Sequence, residues 1–214
     1  MKIDINKIVN GCQSLTNDDR EFVNKNYFND NYGYRGIPVV FKNAFKSENE
    51  SPSGDHTEAI LNIFRCWLSE EKFNILSEEK DTFSALDREE FSKDKWNYLL
   101  SGRKLWLIYP ATFNAEISNN RSKYHVEDIG NINEKISENL IKPFYAIQEP
   151  GDLIYIPGNN YHMHINVEDT AAYQQNFINE INYDNVRIAL RKGSKEEAKH
   201  LETIIKSNFE KLSQ

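Results

Sequence analysis

The sequence predicts an all-β core with flanking helices, and three observations carry that prediction. From Phe73 to Phe177 the apolar and β-branched residues come in short runs, as strands require. Gly and Pro punctuate those runs, at Gly102, at Pro150-Gly151 and at Pro157-Gly158. Helical periodicity, in contrast, appears toward the two ends of the chain. Many short strands with such turns describe a barrel or a sandwich.

Taken in order, Thr16 followed by Asp19 looks like the cap of a short helix running toward Tyr27. Pro38-Val-Val-Phe is a β-branched strand, and Lys46 to Gly54 is a polar loop. Asp55 and Glu58 form a capping box, behind which Ile60, Ile63, Phe64, Trp67 and Leu68 repeat at helical spacing. Phe73-Asn-Ile-Leu is strand-like. Trp96–Leu100 and Lys104–Tyr109, separated by Ser101-Gly102-Arg103, carry a hairpin signal. Residues 111–142 are polar and Asn-rich, an insertion with a short helix at Ile132–Ile141. Strands follow at Tyr145-Ala-Ile, Leu153-Ile-Tyr-Ile-Pro, His162–Val167 and Thr170–Phe177. Ser194 and Glu197 cap a last helix, about 194–212, whose stripe of Ala198, Leu201, Ile204, Ile205, Phe209 and Leu212 is core or a self-association surface.

Composition bounds the function. A chain of 214 residues suits one domain, 1–214, with its core at about 34–177. Hydrophobic residues at 39% and charged residues at 28% describe a globular protein. A net charge of −7 and a pI near 5.3 argue against a nucleic-acid partner, which needs a basic face. MKIDINKIVNG is charged where a signal peptide is apolar, and no apolar run is long enough for a membrane span. Cys12 and Cys66 lie far apart, so neither a disulfide framework nor a thiolate metal site is expected. The expected location is the cytoplasm.

Two segments say more. One is Trp96-Asn-Tyr-Leu-Leu-Ser-Gly-Arg-Lys-Leu-Trp-Leu-Ile-Tyr-Pro. The other is Gln148-Glu-Pro-Gly-Asp-Leu-Ile-Tyr-Ile-Pro-Gly-Asn-Asn-Tyr-His, continuing through Asn166 to Gln175-Asn176-Phe177. Together they resemble the jumonji C (JmjC), or cupin-like, hydroxylase family, and Gly36-Ile-Pro-Val-Val-Phe-Lys-Asn-Ala is similar to its first strand. The resemblance implies a double-stranded β-helix of the cupin or jelly-roll kind. It also implies Fe(II), held by a His-x-Asp/Glu pair and a distal His, with 2-oxoglutarate as co-substrate for hydroxylation or demethylation. His162 matches the distal His, and Lys104 the lysine that pairs with the remote carboxylate of 2-oxoglutarate. Asn97 and Ser84 fall where family members place polar co-substrate contacts.

The departure is at the pair itself. Counted back from Trp96 and Gly102, it falls on Asp87-Arg88-Glu89. His56-Thr57-Glu58 lies too far upstream, at the start of a well-patterned helix, to replace it. Three readings stay open. Asp87, Glu89 and His162 hold a metal, with two carboxylates favouring harder ions such as Mn²⁺ or Mg²⁺. Alternatively His164, two residues on and on the same strand face, joins His162 and Glu89. Or the pocket binds a ligand without redox chemistry. The leading function is a metal-dependent oxygenase acting on a small molecule, an amino acid or a peptide or protein side chain. The competing function is a cupin that binds a small molecule or peptide without 2-oxoglutarate. A homodimer is expected only by analogy with the family.

Overall fold

The computed structural model describes residues 4–20, 23–45, 56–67, 74–115, 117, 142–193 and 195–212. Among these, ten strands form two facing sheets. They are β1 (Gln13–Ser14), β2 (Asn17–Asp18), β3 (Val39–Phe41), β4 (Asn74–Glu78), β5 (Asp94–Ser101), β6 (Lys104–Tyr109), β7 (Phe144–Gln148), β8 (Leu153–Ile156), β9 (Tyr161–Asn166) and β10 (Thr170–Phe177). One sheet runs β1-β7-β6-β9 and the other β2-β3-β8-β5-β10-β4. From β7 onward each strand crosses to the sheet opposite its predecessor, as a double-stranded β-helix requires.

That crossing corrects the hairpin expected at Ser101-Gly102-Arg103. β5 pairs with β8 and β10, whereas β6 pairs with β7 and β9, so the turn is a corner between sheets. Its partner is the turn after β9: the Val167 amide donates to the Arg103 carbonyl at 2.9 Å. Gly102 has φ +76°, and a Cβ there would sit 2.0 Å from the Asp169 carbonyl oxygen. Only glycine lets the two corners touch.

Strand parity sorts the side chains. On β5, Trp96 and Tyr98 face outward into an aromatic layer with Phe28, Phe41, Phe64, Tyr155 and Phe177. That layer is covered by α2 (Lys25–Phe28) and α3 (Thr57–Phe64). On β6 and β9, Leu105, Leu107, Tyr109, Tyr161, Met163 and Ile165 face outward under α1 (Ile5–Val9). The alternate residues point between the sheets. At one end they are apolar, with Leu15, Val40, Ile108, Ala146, Ile154 and Ile156 packed together against Trp106. At the other end they are polar.

Three smaller expectations change. Residues Asn17–Asp18 form a strand beside β3, because the Asp18 carboxylate is engaged by the Tyr27 and Tyr32 hydroxyls (2.7 and 2.8 Å). The helix there begins only after Asn24, whose side chain accepts from the Tyr27 amide at 3.0 Å. His56, whose side chain makes no capping hydrogen bond, is the N-cap of α3, and Trp67 lies past its end, tied to the Ile178 carbonyl at 2.8 Å. A further amphipathic helix, unanticipated from the sequence, α4 (Tyr183–Gly193), precedes α5 (Lys195–Leu212) and packs on it through Val186, Leu190, Ala198 and Ile205. Asp55, Phe73, Ser194, the Lys46–Gly54 loop and the helix at 132–141 lie outside the described residues.

Candidate active site

The polar end is built by the same parity that builds the core. Lys95 and Asn97 on β5, Lys104 on β6, His162, His164 and Asn166 on β9, and Glu78 on β4 occupy inward positions. Lys104, Asn97 and Asn166 are fully buried, and His162 and His164 nearly so. Charges this deep require partners. Two groups of side chains supply them.

The first group gathers on Glu89. Its Oε1 lies 2.6 Å from Lys95 Nζ and 3.3 Å from His162 Nε2, and its Oε2 accepts from Asn176 Nδ2. Burial raises the Glu89 pKa, but the His162 hydrogen bond and the Lys95 charge outweigh it and hold it at about 2. His162 Nδ1 faces the Asn160 carbonyl at 3.1 Å. With Nδ1 turned to that carbonyl, Nε2 is the ring nitrogen that faces Glu89. Asp87 exchanges backbone hydrogen bonds with His162 (3.1 and 2.8 Å) and so shares its sheet face. Its carboxylate, half-buried, accepts from the Arg88 amide at 2.7 Å. After Glu89 the chain turns through Phe91 and Ser92, both at positive φ (54° and 58°), a conformation non-glycine residues rarely hold. Gly158 backs this turn so closely that a Cβ would lie 2.3 Å from the Ser92 and Lys93 carbonyl oxygens.

The second group gathers on Glu78. Lys104 Nζ bonds its Oε2, and His164 Nε2 lies 3.1 Å from both of its oxygens. The His164 hydrogen bond leads in holding the Glu78 pKa down at about 2, against burial and with help from Lys104. Burial lowers the pKa of Lys104 and of His164. The His164 ring packs against Trp106 (centroids 4.9 Å apart), whose Nε1 donates to Gln148 Oε1 at 2.7 Å. Ser84 lies on a segment bonded along β9, its Oγ accepting from the His164 amide at 2.9 Å. Asn97 donates from Nδ2 to Gln174 Oε1 at 3.3 Å, while its buried Oδ1 has no hydrogen-bond partner. A buried orphan of this kind marks a place where a ligand or water belongs.

The expected residues therefore fall into two sets. His162 and Glu89 meet, and Asp87 stands opposite His162. His164 sits with Lys104 and Glu78, away from the Glu89 contact. Among the described residues no three His, Cys, Asp or Glu side chains converge as they stand. The donors fit a divalent ion on two conditions: Asp87 must turn inward, and Lys95 must leave Glu89. Lys95 and Glu78 are the two members that sequence reasoning missed. Parity with Asn97 could have placed Lys95 inside; Glu78 had no motif around it. A cavity of about 690 Å³ adjoins Asp87 and Glu89 and runs between Phe91, Asn159 and the α4 residues Ile188 and Lys192.

No family model matches the chain. The arginine-specific demethylase JMJ20 of Arabidopsis thaliana is 29% identical over 143 residues, 63% of this chain and 30% of its own length. The lysine-specific demethylase JMJ21 of the same plant is 30% identical over 111 residues, covering 46% of this chain and 12% of that protein. The 2-oxoglutarate and iron-dependent oxygenase JMJD4 of Danio rerio is 29% identical over 113 residues, 49% of this chain and 26% of its own. This chain thus spans less than a third of the length of these relatives. Over about half of its length it is homologous, at modest identity, to JmjC-domain demethylases and 2-oxoglutarate and iron-dependent oxygenases.

Proposed function

We propose that this chain is a JmjC-type oxygenase that uses Fe(II), or a harder ion such as Mn²⁺, with 2-oxoglutarate. The carrying observation is the cluster of polar side chains between the sheets, where His162 Nε2 and Glu89 meet and Lys104 lies fully buried. His162, Glu89 and Asp87 would hold the metal, which supplies the oxidising chemistry once co-substrate and O₂ are present. Lys104 anchors the distal carboxylate of 2-oxoglutarate, and Asn97, with its unsatisfied amide, contributes a polar contact beside it. Ser84 spends its hydroxyl lone pair on the His164 amide and keeps a proton to donate. Trp106, fixed by Gln148 and fully buried, packs its ring against His164.

The substrate reaches this end through the cavity bordered by Asp87, Glu89 and α4. A peptide or protein side chain suits that entry best, in keeping with relatives named as arginine- and lysine-specific demethylases. Among the described residues no helix is long and apolar enough to cross a membrane. The acidic charge balance favours a protein partner over nucleic acid, and we place the work in the cytoplasm. The domain is one unit, 1–214, and a second copy would meet it through the α4–α5 end.

The test is consumption of 2-oxoglutarate with Fe(II), read as succinate. Turnover is expected, and Lys104→Ala should raise the 2-oxoglutarate needed about ten- to a hundredfold, the loss of a charged hydrogen bond. Absence of turnover under all metals refutes the reading. A second reading, a pocket without redox chemistry, draws support from the two complete ion pairs, Lys95–Glu89 and Lys104–Glu78. Asp87→His separates them: turnover appearing only in that variant favours the second reading, and turnover lost in it favours the first.

A further inference from the structure

We infer that Lys95 and Glu78 are built-in counter-ions that hold the places of the metal and of the co-substrate carboxylate, so that both ligands bind by exchange. The inference rests on the oxygenase reading and concerns what sets its ligand affinity and selectivity.

Glu89 Oε1 is the atom that faces His162 Nε2, and it is the same atom that Lys95 Nζ touches at 2.6 Å. An ion coming to His162 and Glu89 meets an ammonium already on the shared oxygen. Two cations at that range repel, so the ammonium must withdraw. Lys95 has the reach to do so, since its side chain retains some exposure and four rotatable carbons. The aspartate at position 87 makes sense of such a lysine. A site with two carboxylates in place of one carries an extra negative charge, and an internal cation balances it when no ion is present.

The second pair inverts the signs. Lys104, which would receive a carboxylate from the co-substrate, already binds the Glu78 carboxylate, and His164 grips the same group with contacts to both oxygens. A second carboxylate beside Glu78 would add like charge in low dielectric. It must therefore replace Glu78, not join it. Glu78 is placed for this: it ends β4, the edge strand of its sheet, and is partly exposed. The cavity thus selects ligands able to outcompete its own groups, a strong divalent ion and a dianion that offers more contacts than one glutamate.

The experiment compares parent, Lys95→Met, Lys95→Arg and Glu78→Gln, each checked for folding by circular dichroism and thermal unfolding. Mn²⁺ binding is measured by electron paramagnetic resonance, and 2-oxoglutarate binding by calorimetry with and without Mn²⁺. Lys95→Met should bind Mn²⁺ at least tenfold more tightly than the parent, while Lys95→Arg stays within a fewfold of it. Glu78→Gln should bind 2-oxoglutarate at least tenfold more tightly. Both variants should melt lower than the parent and recover when their ligand is added. A merely structural ion pair predicts the lower melting without the tighter binding, and that result overturns the inference. Equal Mn²⁺ affinity in parent and Lys95→Met also overturns it, yet leaves the oxygenase reading standing. No Mn²⁺ bound by either protein removes that reading and the inference together.

Discussion

Two triplets of identical residue types lie at the polar end between the sheets, Glu89–Lys95–His162 and Glu78–Lys104–His164. Each has its lysine on a central strand and its carboxylate at the periphery, Glu89 on a strained turn and Glu78 at the end of an edge strand. They differ in depth. Lys104 is sealed from solvent, whereas Lys95 and Glu89 keep about a seventh of their surface exposed, at 15% and 14%. They differ also in company: Glu89 has Asp87 nearby and an open cavity beside it, and Glu78 has the Trp106 wall. The same three charges therefore serve two ends. The deeper lysine, Lys104, is placed to fix an anion, and the deeper carboxylate, Glu89, to receive a cation.

The largest expected effect breaks this division directly. His162→Ala should abolish Mn²⁺ uptake, because it removes a donor to the ion. His164→Ala should cost no more than the ~10–100-fold that an outer partner is worth. Both are read from Mn²⁺ titrations of the full chain. Equal losses would mean that the two histidines serve one site, as the second reading of the sequence allowed.

Next in size is the stability of the lysines. Replacing Lys104 by Met leaves Glu78 with His164 alone, in a pair whose lysine is buried. Breaking a fully buried pair costs ~3–5 kcal/mol; the partial exposure of Glu78 reduces that to about 2–3 kcal/mol. Lys95→Met leaves Glu89 with both His162 and Asn176, and should cost about 1 kcal/mol. Urea unfolding of the two variants decides, and the reverse order would contradict the assignment of depth.

How far the cavity could be read in advance follows from the same comparison. Lys104, Asn97 and His162 sit inside motifs whose spacing fixes their strands, so their inward parity was legible. Glu89 was legible only by counting from Trp96. Lys95 lies next to that tryptophan, yet a lysine at a strand start reads as a surface residue until a buried carboxylate is seen to need it. Glu78 had no chance of being found, since β4 pairs with β10 far along the chain and pairing of that range leaves no local signal. The hairpin at Gly102 failed for a related reason. A glycine turn between two strands looks the same whether they pair or part, and the decision is made by Asp169, which packs against it from another corner.

The last effect uses a third carboxylate, the buried Asp94, as the contrast. Asp94 accepts from the Tyr155 hydroxyl (2.7 Å) and the Gly158 amide (2.9 Å), and among the described residues it has no ion pair. Burial therefore dominates and pushes its pKa up to about 6, against about 2 for Glu78. The signs of the two contributions are opposite. Glu78, lowered from 4.5, adds stability that is present above about pH 4.5 and is lost as pH falls toward 2. Asp94, raised from 3.8, favours the folded state while both states are protonated or only the folded one is, so stability drops as pH rises from about 4 to 6. Each group contributes at most about 1.4 kcal/mol per pH unit, and Glu78 less, because it reaches solvent. Unfolding free energies taken across pH 2–7 should rise and then dip. Asp94→Asn should erase the dip and keep the rise, and Glu78→Gln should weaken the rise and keep the dip. A dip that survives Asp94→Asn would show that a lysine-free carboxylate in this fold is no different from the paired ones.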